Sequence, residues 1–171
     1  MVWRGDTTLR DRILGALPYL MPMLDILLVI SSIPAGFILF SLFPPLRLLL
    51  SPLYAILPFY TMRLGGFLSV ELILFIVLFV AVVRNDDLPR FLRFNTLQGL
   101  LMSIFLFLCN LVLDLIGRML FVGALQLVLQ GVFVLLFIGT MAASIFAIIQ
   151  CFRGLYADIP FISEAAHSQL P

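Results

Sequence analysis

Asp25, Glu71 and Asp114 are carboxyl residues set inside long apolar runs, where an ionisable group is costly and normally faces a partner or a water-filled cavity. At 100° per residue, Asn95, Gly99, Ser103, Asn110 and Asp114 fall within an arc of about 100° on one helix, with Arg118 a turn further along the same side. That face is polar through its whole length. It either hydrogen-bonds neighbouring helices or lines a hydrated path or subunit contact. Asp114 and Arg118, spaced i and i+4, are placed to pair, and Gly117 stands where the helix would be capped or loosened. Asp25, Glu71, Ser103, Asn110, Asp114 and Arg118 are therefore the candidate intramembrane polar set.

None of these groups forms a recognisable catalytic set. The chain has one histidine, His167, near its polar C-terminus, so no Ser/His/Asp or Cys/His nucleophile arrangement can be assembled. Cys109 and Cys151 form no CxxC pair, and two cysteines with a terminal histidine do not make a zinc site. All ten cations are arginine, which removes Schiff-base lysines and the phosphate-binding lysine of a P-loop. No enzyme activity, cofactor or metal is expected. The net charge of +1 leaves no basic surface of the kind that neutralises nucleic-acid phosphates.

A second group of polar residues sits at the edges of the apolar runs. Arg90 and Arg93 open a helix at the end where its dipole disfavours cations, so something else must favour them. Anionic lipid headgroups are the first reading, and contact with a soluble partner or an acidic stretch of passing chain is the other. Arg84, Asn95, Gln98 and Arg153 join them as candidate lipid or partner contacts on the same side.

The elements that position these residues follow from composition. Of 171 residues, 63% are hydrophobic and 11% charged, against about 45–50% and 25% in a soluble domain. One core of this size cannot hide so much apolar surface, so the remainder faces lipid. About 20 apolar residues cross a bilayer as a helix, which predicts an all-α membrane protein with spans near residues 13–35, 67–83, 97–116 and 132–152. The first span contains Pro18, Pro22 and Asp25 and is expected to kink near Pro22, where a backbone donor is missing. Its eleven Leu, Ile and Val residues contribute roughly −5 kcal/mol to insertion and Asp25 costs about +3. Such a span needs a protein neighbour. In the fourth, Gly139, Ala143 and Ala147 form a small-residue ridge that favours close helix approach.

Residues 36–60 are nearly as apolar but broken by Pro44, Pro45, Pro52 and Pro58, and are expected as short helices and turns in the interface or dipping partway in. Asp6-Thr7-Thr8 reads as a helix start, with Trp3 as an interfacial anchor. The tail from 157 to 171 is expected to be loosely ordered. No signal or transit peptide is recognised at the start, and the chain is taken as a single membrane domain. With four crossings, Arg4, Arg10, Arg12, Arg84, Arg90, Arg93 and Arg153 share one side, leaving Arg47, Arg63 and Arg118 opposite. The positive-inside rule then places both termini on the cytoplasmic or stromal side.

Three stretches carry a family likeness. They are Trp3-Arg4-Gly5 with Thr7-Thr8, Asp11-Arg12-Ile13 and Ala16-Leu17-Pro18-Tyr19-Leu20 with Pro22; Val83-Arg84-Asn85 with Arg90-Phe91-Leu92-Arg93-Phe94-Asn95-Thr96-Leu97-Gln98; and Arg153-Gly154-Leu155-Tyr156-Ala157-Asp158-Ile159-Pro160 with Ile162-Ser163. In this order they resemble the small four-helix membrane subunit of the Tic translocon, which imports proteins across the chloroplast inner envelope, and its cyanobacterial and plastid-encoded relatives. The resemblance implies a multi-pass subunit that helps form a protein-conducting site, in the chloroplast inner envelope or a cyanobacterial membrane, with stromal termini. Expected partners are other translocon membrane subunits or copies of itself, precursor polypeptides and membrane lipids.

Two functions fit. One is a translocon subunit contributing helices to a channel or its scaffold. The other is a non-conducting membrane assembly or anchoring factor. A small-solute transporter would require paired broken helices in two repeated halves, and the broken segment at 36–60 has no counterpart.

Overall fold

The structure, a computed structural model, describes residues 7–66, 68–119, 123–160 and 162–169, with the side chains of residues 118, 119, 124, 125 and 167 outside the description. The anchor expected at Trp3 therefore lies outside the described residues, as do Arg4 and Phe67. The described residues are all-α apart from one isolated bridge between Arg63 and Ser69.

Helix α1 (Leu9–Ala16) begins where Thr8 and Asp11 form a reciprocal capping box. A 3₁₀ turn, Leu17–Tyr19, joins it to α2 (Leu20–Ser31). The irregularity expected at Pro22 is thus centred a turn earlier. Pro22 lies in the first turn of α2 and cannot donate to the Pro18 carbonyl. That carbonyl faces Gly99, where an added Cβ would lie 3.0 Å from the Pro18 oxygen. The close crossing needs both a distorted helix and a residue without a side chain.

Short helices α3 (Pro34–Leu42), α4 (Pro44–Leu49) and α5 (Ser51–Tyr60) follow, as the prolines of this region require. Pro34, Pro44, Pro45 and Pro52 all fall in first-turn positions, where the missing N–H has no intrahelical role. Helix α6 (Val70–Leu78) starts at Ser69, whose hydroxyl accepts from Leu72 N, and runs on as a π-helical turn, Phe79–Val83. Helices α7 (Arg90–Met119) and α8 (Gly123–Phe152) are the longest, and α9 (Ile162–Gln169) closes the chain.

Among the described residues, three helical stretches are long and apolar enough to cross a membrane: Leu9–Ser31, Arg90–Gly117 and Gln126–Phe152. The second expected span instead forms the shorter apolar helix Val70–Val83, which at 1.5 Å per residue reaches only about 20 Å. The first span is the centre of the bundle. Of its most apolar window 61% is buried, against 22% and 28% for the other two. The neighbour demanded by its weak insertion energy is supplied by α7 and α8, which flank it.

The C-terminal tail departs from expectation. Ala157, Ile159, Ser163 and Ala166 are buried, and Tyr156 packs edge-on against Phe91 and Phe94, with ring centroids 5.4 and 5.0 Å apart. A segment polar in composition is ordered because its few apolar side chains share one face. The small-residue ridge of α8 is also only partly used. Ala147 is fully buried, whereas Gly139 opens onto a cavity of about 330 Å³ between α7 and α8.

Candidate functional site

Among the described residues, two polar clusters lie within the bundle, and the polar face of α7 contributes to both. The first is closed. Tyr19 from the 3₁₀ turn, Asn95 and Gln98 from α7, Cys151 from α8 and Ser163 from α9 are all buried. The Tyr19 hydroxyl is shared between Gln98 Oε1 at 2.6 Å and Asn95 Oδ1 at 2.9 Å. Gln98 Nε2 donates to the Ala157 carbonyl (3.0 Å) and to Ser163 Oγ (2.8 Å), and Ser163 donates in turn to Ala157 O. Asn95 Nδ2 donates to Phe91 O at 2.7 Å, and the Cys151 thiol lies 3.2 Å from Asn95 Oδ1. Buried polar groups satisfied in this way specify one packing rather than several.

Asn95 and Gln98 are therefore not lipid or partner contacts: their polar atoms are consumed inside the chain. Arg93 is corrected in the same sense. Its Nε donates to Val83 O at 3.0 Å and its Nη2 meets Asp86 at 2.7 Å. It caps the π turn, which explains a cation at the start of α7 without any headgroup. Arg84, Arg90 and Arg153 are exposed and remain available at the surface.

Around this cluster the ends of four elements meet. Arg12 donates to Thr7 Oγ1 and to Phe152 O, the latter at 3.4 Å, placing a cation at the negative end of α8. Gly154, with φ +72°, turns the chain out of α8. A Cβ there would lie 2.7 Å from Thr7 Oγ1. The described parts of the three stretches that carry the family likeness converge here. No spacing in the sequence predicted that meeting, and only the sparse polar residues at helix ends hinted at it.

The second cluster is open. Asp25 of α2, Glu71 of α6 and Ser103 and Asn110 of α7 line a partly open cleft of about 340 Å³, walled otherwise by Met21, Leu28, Phe75 and Phe107 among others. Tyr60, which sequence reasoning missed, donates to Asp25 Oδ1 at 2.5 Å. Its position at the end of a proline-broken segment carried no signal. Glu71 lies in the first turn of α6, where the helix dipole favours a carboxylate. Ser103 is 8% exposed. Its hydroxyl is close to Asp25 but has no well-formed hydrogen bond.

The expected polar face of α7 thus splits by depth. Its first half is buried and bonded; Ser103 and Asn110 open onto the cleft; Asp114 is exposed beyond it. Asp114 has an interaction of its own, but the expected pairing with Arg118 lies outside the described residues. Cys109 is half-buried, and both it and Cys151 are free thiols.

A multi-pass α-helical membrane protein, built round one central proline-bearing span and tied together at one end by a buried polar knot, is the class these features define. The chain belongs to the Tic20 family. The sequence profile described as "Chloroplast import apparatus Tic20-like" matches residues 8–166. The chain is 37% identical over 161 residues to a Tic20 family protein of Synechocystis sp., covering 94% of this chain and 93% of that one. It is 29% identical over 170 residues to "Protein TIC 20-v, chloroplastic" of Arabidopsis thaliana (98% and 75% covered). With the "Tic20 family protein Ycf60" of Gracilaria tenuistipitata var. liui it shares 32% over 172 residues (97% and 78%). The family read from the three stretches is the family found, that of an import-apparatus membrane protein.

Proposed function

We propose that this chain is a membrane subunit of a protein translocon and contributes helices to a protein-conducting channel or to its scaffold during preprotein import. The observation that carries the reading is the cleft. It sets two carboxyl groups and two neutral polar groups inside an apolar bundle, and the chain's own helices leave it open beside the short helix α6. Polar surface at membrane depth is completed by protein or water. Other translocon subunits or further copies of the chain would supply the rest of any conduit, since these few helices cannot enclose an extended polypeptide. The membrane is a chloroplast inner envelope or a cyanobacterial membrane.

Four crossings, with Val70–Val83 as the short second one, put both termini on the stromal or cytoplasmic side. The gathering of the α1, α7 and α8 ends around Arg12, Arg93 and Cys151 supports this sidedness, as does the arginine distribution. An impermeant thiol reagent should label Asp87→Cys from the stromal or cytoplasmic side and Leu49→Cys from the other. Labelling of both from one side refutes the topology.

For function, the test is precursor transport and complex assembly by the Asp25→Leu/Asp114→Leu chain. Loss of either supports the role of these residues; both intact removes it. The alternative, a non-conducting assembly or anchoring factor, is favoured by the closed Tyr19–Gln98–Ser163 knot, which is built for rigidity. Ion conductance of the purified protein in bilayers, with selectivity altered by Asp25→Asn, favours the conduit; no conductance favours the scaffold.

A further inference from the structure

The cleft between α2, α6 and α7 presents Asp25 and Glu71 with no cation among its lining residues. Tyr60 occupies only Oδ1 of Asp25. Ser103, more than nine-tenths buried and lining the same space, has a hydroxyl with no hydrogen-bond partner. The Ser103 hydroxyl lies beside Asp25, and its oxygen and the Glu71 carboxyl are acceptors with no donor among the described residues, which a donor-rich cation would satisfy. The walls are apolar, and Leu72 and Phe107 at the rim are exposed. A volume of about 340 Å³ is at the small end for ligand pockets. It accommodates one long side chain and not a whole helix.

We propose that this cleft receives a lysine or arginine side chain from the membrane-spanning helix of a different partner subunit, with the cation bridging Asp25 and Glu71 and the helix lying against Leu72 and Phe107. Charge complementarity selects this occupant. A cation inside a span is as costly alone as the two carboxyl groups are, and each removes the other's penalty. The apolar rim matches the remainder of a membrane helix. The proposal deepens the subunit reading by naming the chemistry of the contact, and rests on that reading only in requiring a membrane partner.

The test places the photoreactive residue p-benzoylphenylalanine at Leu72 of the full chain in its native membranes, with precursor transport measured in parallel. The expected product is a crosslink to a peptide of another membrane protein that carries Lys or Arg inside an apolar run of about 20 residues. Its yield should fall at least tenfold in Asp25→Asn/Glu71→Gln and persist in the charge-preserving Asp25→Glu/Glu71→Asp. The proposal is overturned by a crosslink that survives neutralisation, by a peptide without a basic residue in its span, by a second copy of this chain, or by an adduct with the mass of a lipid. Equal loss in the neutral and charge-preserving pairs also overturns it, because shape rather than charge then holds the partner. No such crosslink with transport intact refutes the contact and leaves the translocon role standing.

Discussion

Gln98 joins the C-terminal segment to the bundle, and replacing it with methionine isolates what that joint contributes. Methionine keeps length and approximate volume, so packing against Leu97 and Leu100 changes little. Two hydrogen bonds to the tail disappear, those from Nε2 to Ala157 O at 3.0 Å and to Ser163 Oγ at 2.8 Å. The groups left behind are not orphaned. Ser163 still donates to Ala157 O and accepts from Ile159 N, and Tyr19 still reaches Asn95 Oδ1. The cost is therefore that of the bonds alone, about 1 kcal/mol each, without a penalty for unsatisfied partners. A loss of about 2 kcal/mol raises the undocked population of the tail by about 30-fold. Hydrogen exchange of the amides in Ile162–Gln169, in detergent or nanodiscs, reads this directly. Exchange within threefold of the parent chain refutes the reasoning. So does a larger effect from Tyr19→Phe, because Tyr19 touches Gln98 and Asn95 but makes no hydrogen bond to the tail.

Other consequences follow from single contacts. Gly99→Ala forces a Cβ to within 3.0 Å of the Pro18 carbonyl and should cost about 1–3 kcal/mol in unfolding measurements, since neither backbone can yield easily. Gly154→Ala adds left-handed strain at φ +72° to a clash with Thr7 Oγ1; a loss of about 1–3 kcal/mol is expected by the same measurement. Tyr60→Phe removes the donor to Asp25 and should cost about 1–3 kcal/mol, whereas Tyr54→Phe, whose hydroxyl meets only the exposed Ser31, should cost less. Burial raises the Tyr156 phenol above its ordinary range, against a smaller opposing effect of Arg90. A raised phenol is neutral in the folded chain after it would ionise in the unfolded one, so tail docking should hold up to about pH 10 and weaken above it. Tyr156→Phe should reduce that dependence in a pH series of hydrogen exchange.

Much of the architecture was legible because its causes are local. Apolar runs of sufficient length marked three spans, and prolines in first-turn positions marked α3, α4 and α5 as short. The polar face of α7 was readable from angular spacing alone. The shortness of α6 was harder to read, because the run from 67 to 83 is apolar apart from Ser69 and Glu71, and its hydropathy outweighed the helix-start mark that this serine and acid provide. The tail was misjudged because composition averages over faces: Ala157, Ile159 and Ala166 are few but share one side. Arg93 was misjudged because its acceptor, the Val83 carbonyl, is created by a π turn that no side chain announces.

The sequence by itself determined that the chain is helical and membrane-borne, and which family it resembles. These follow from hydropathy, residue type and order, which act along the chain. Which polar groups are spent internally and which stay open was decided only by tertiary packing. Asn95 and Gln98 are closed off because α1, α8 and the tail converge on one end of α7. Asp25, Glu71 and Ser103 share a cleft because α6 is short and Tyr60 returns from a broken segment to meet Asp25. Side chains far apart in the chain exchange solvation for one another only once the fold has brought them within hydrogen-bonding distance, and no property of a residue's neighbours in sequence reports that distance.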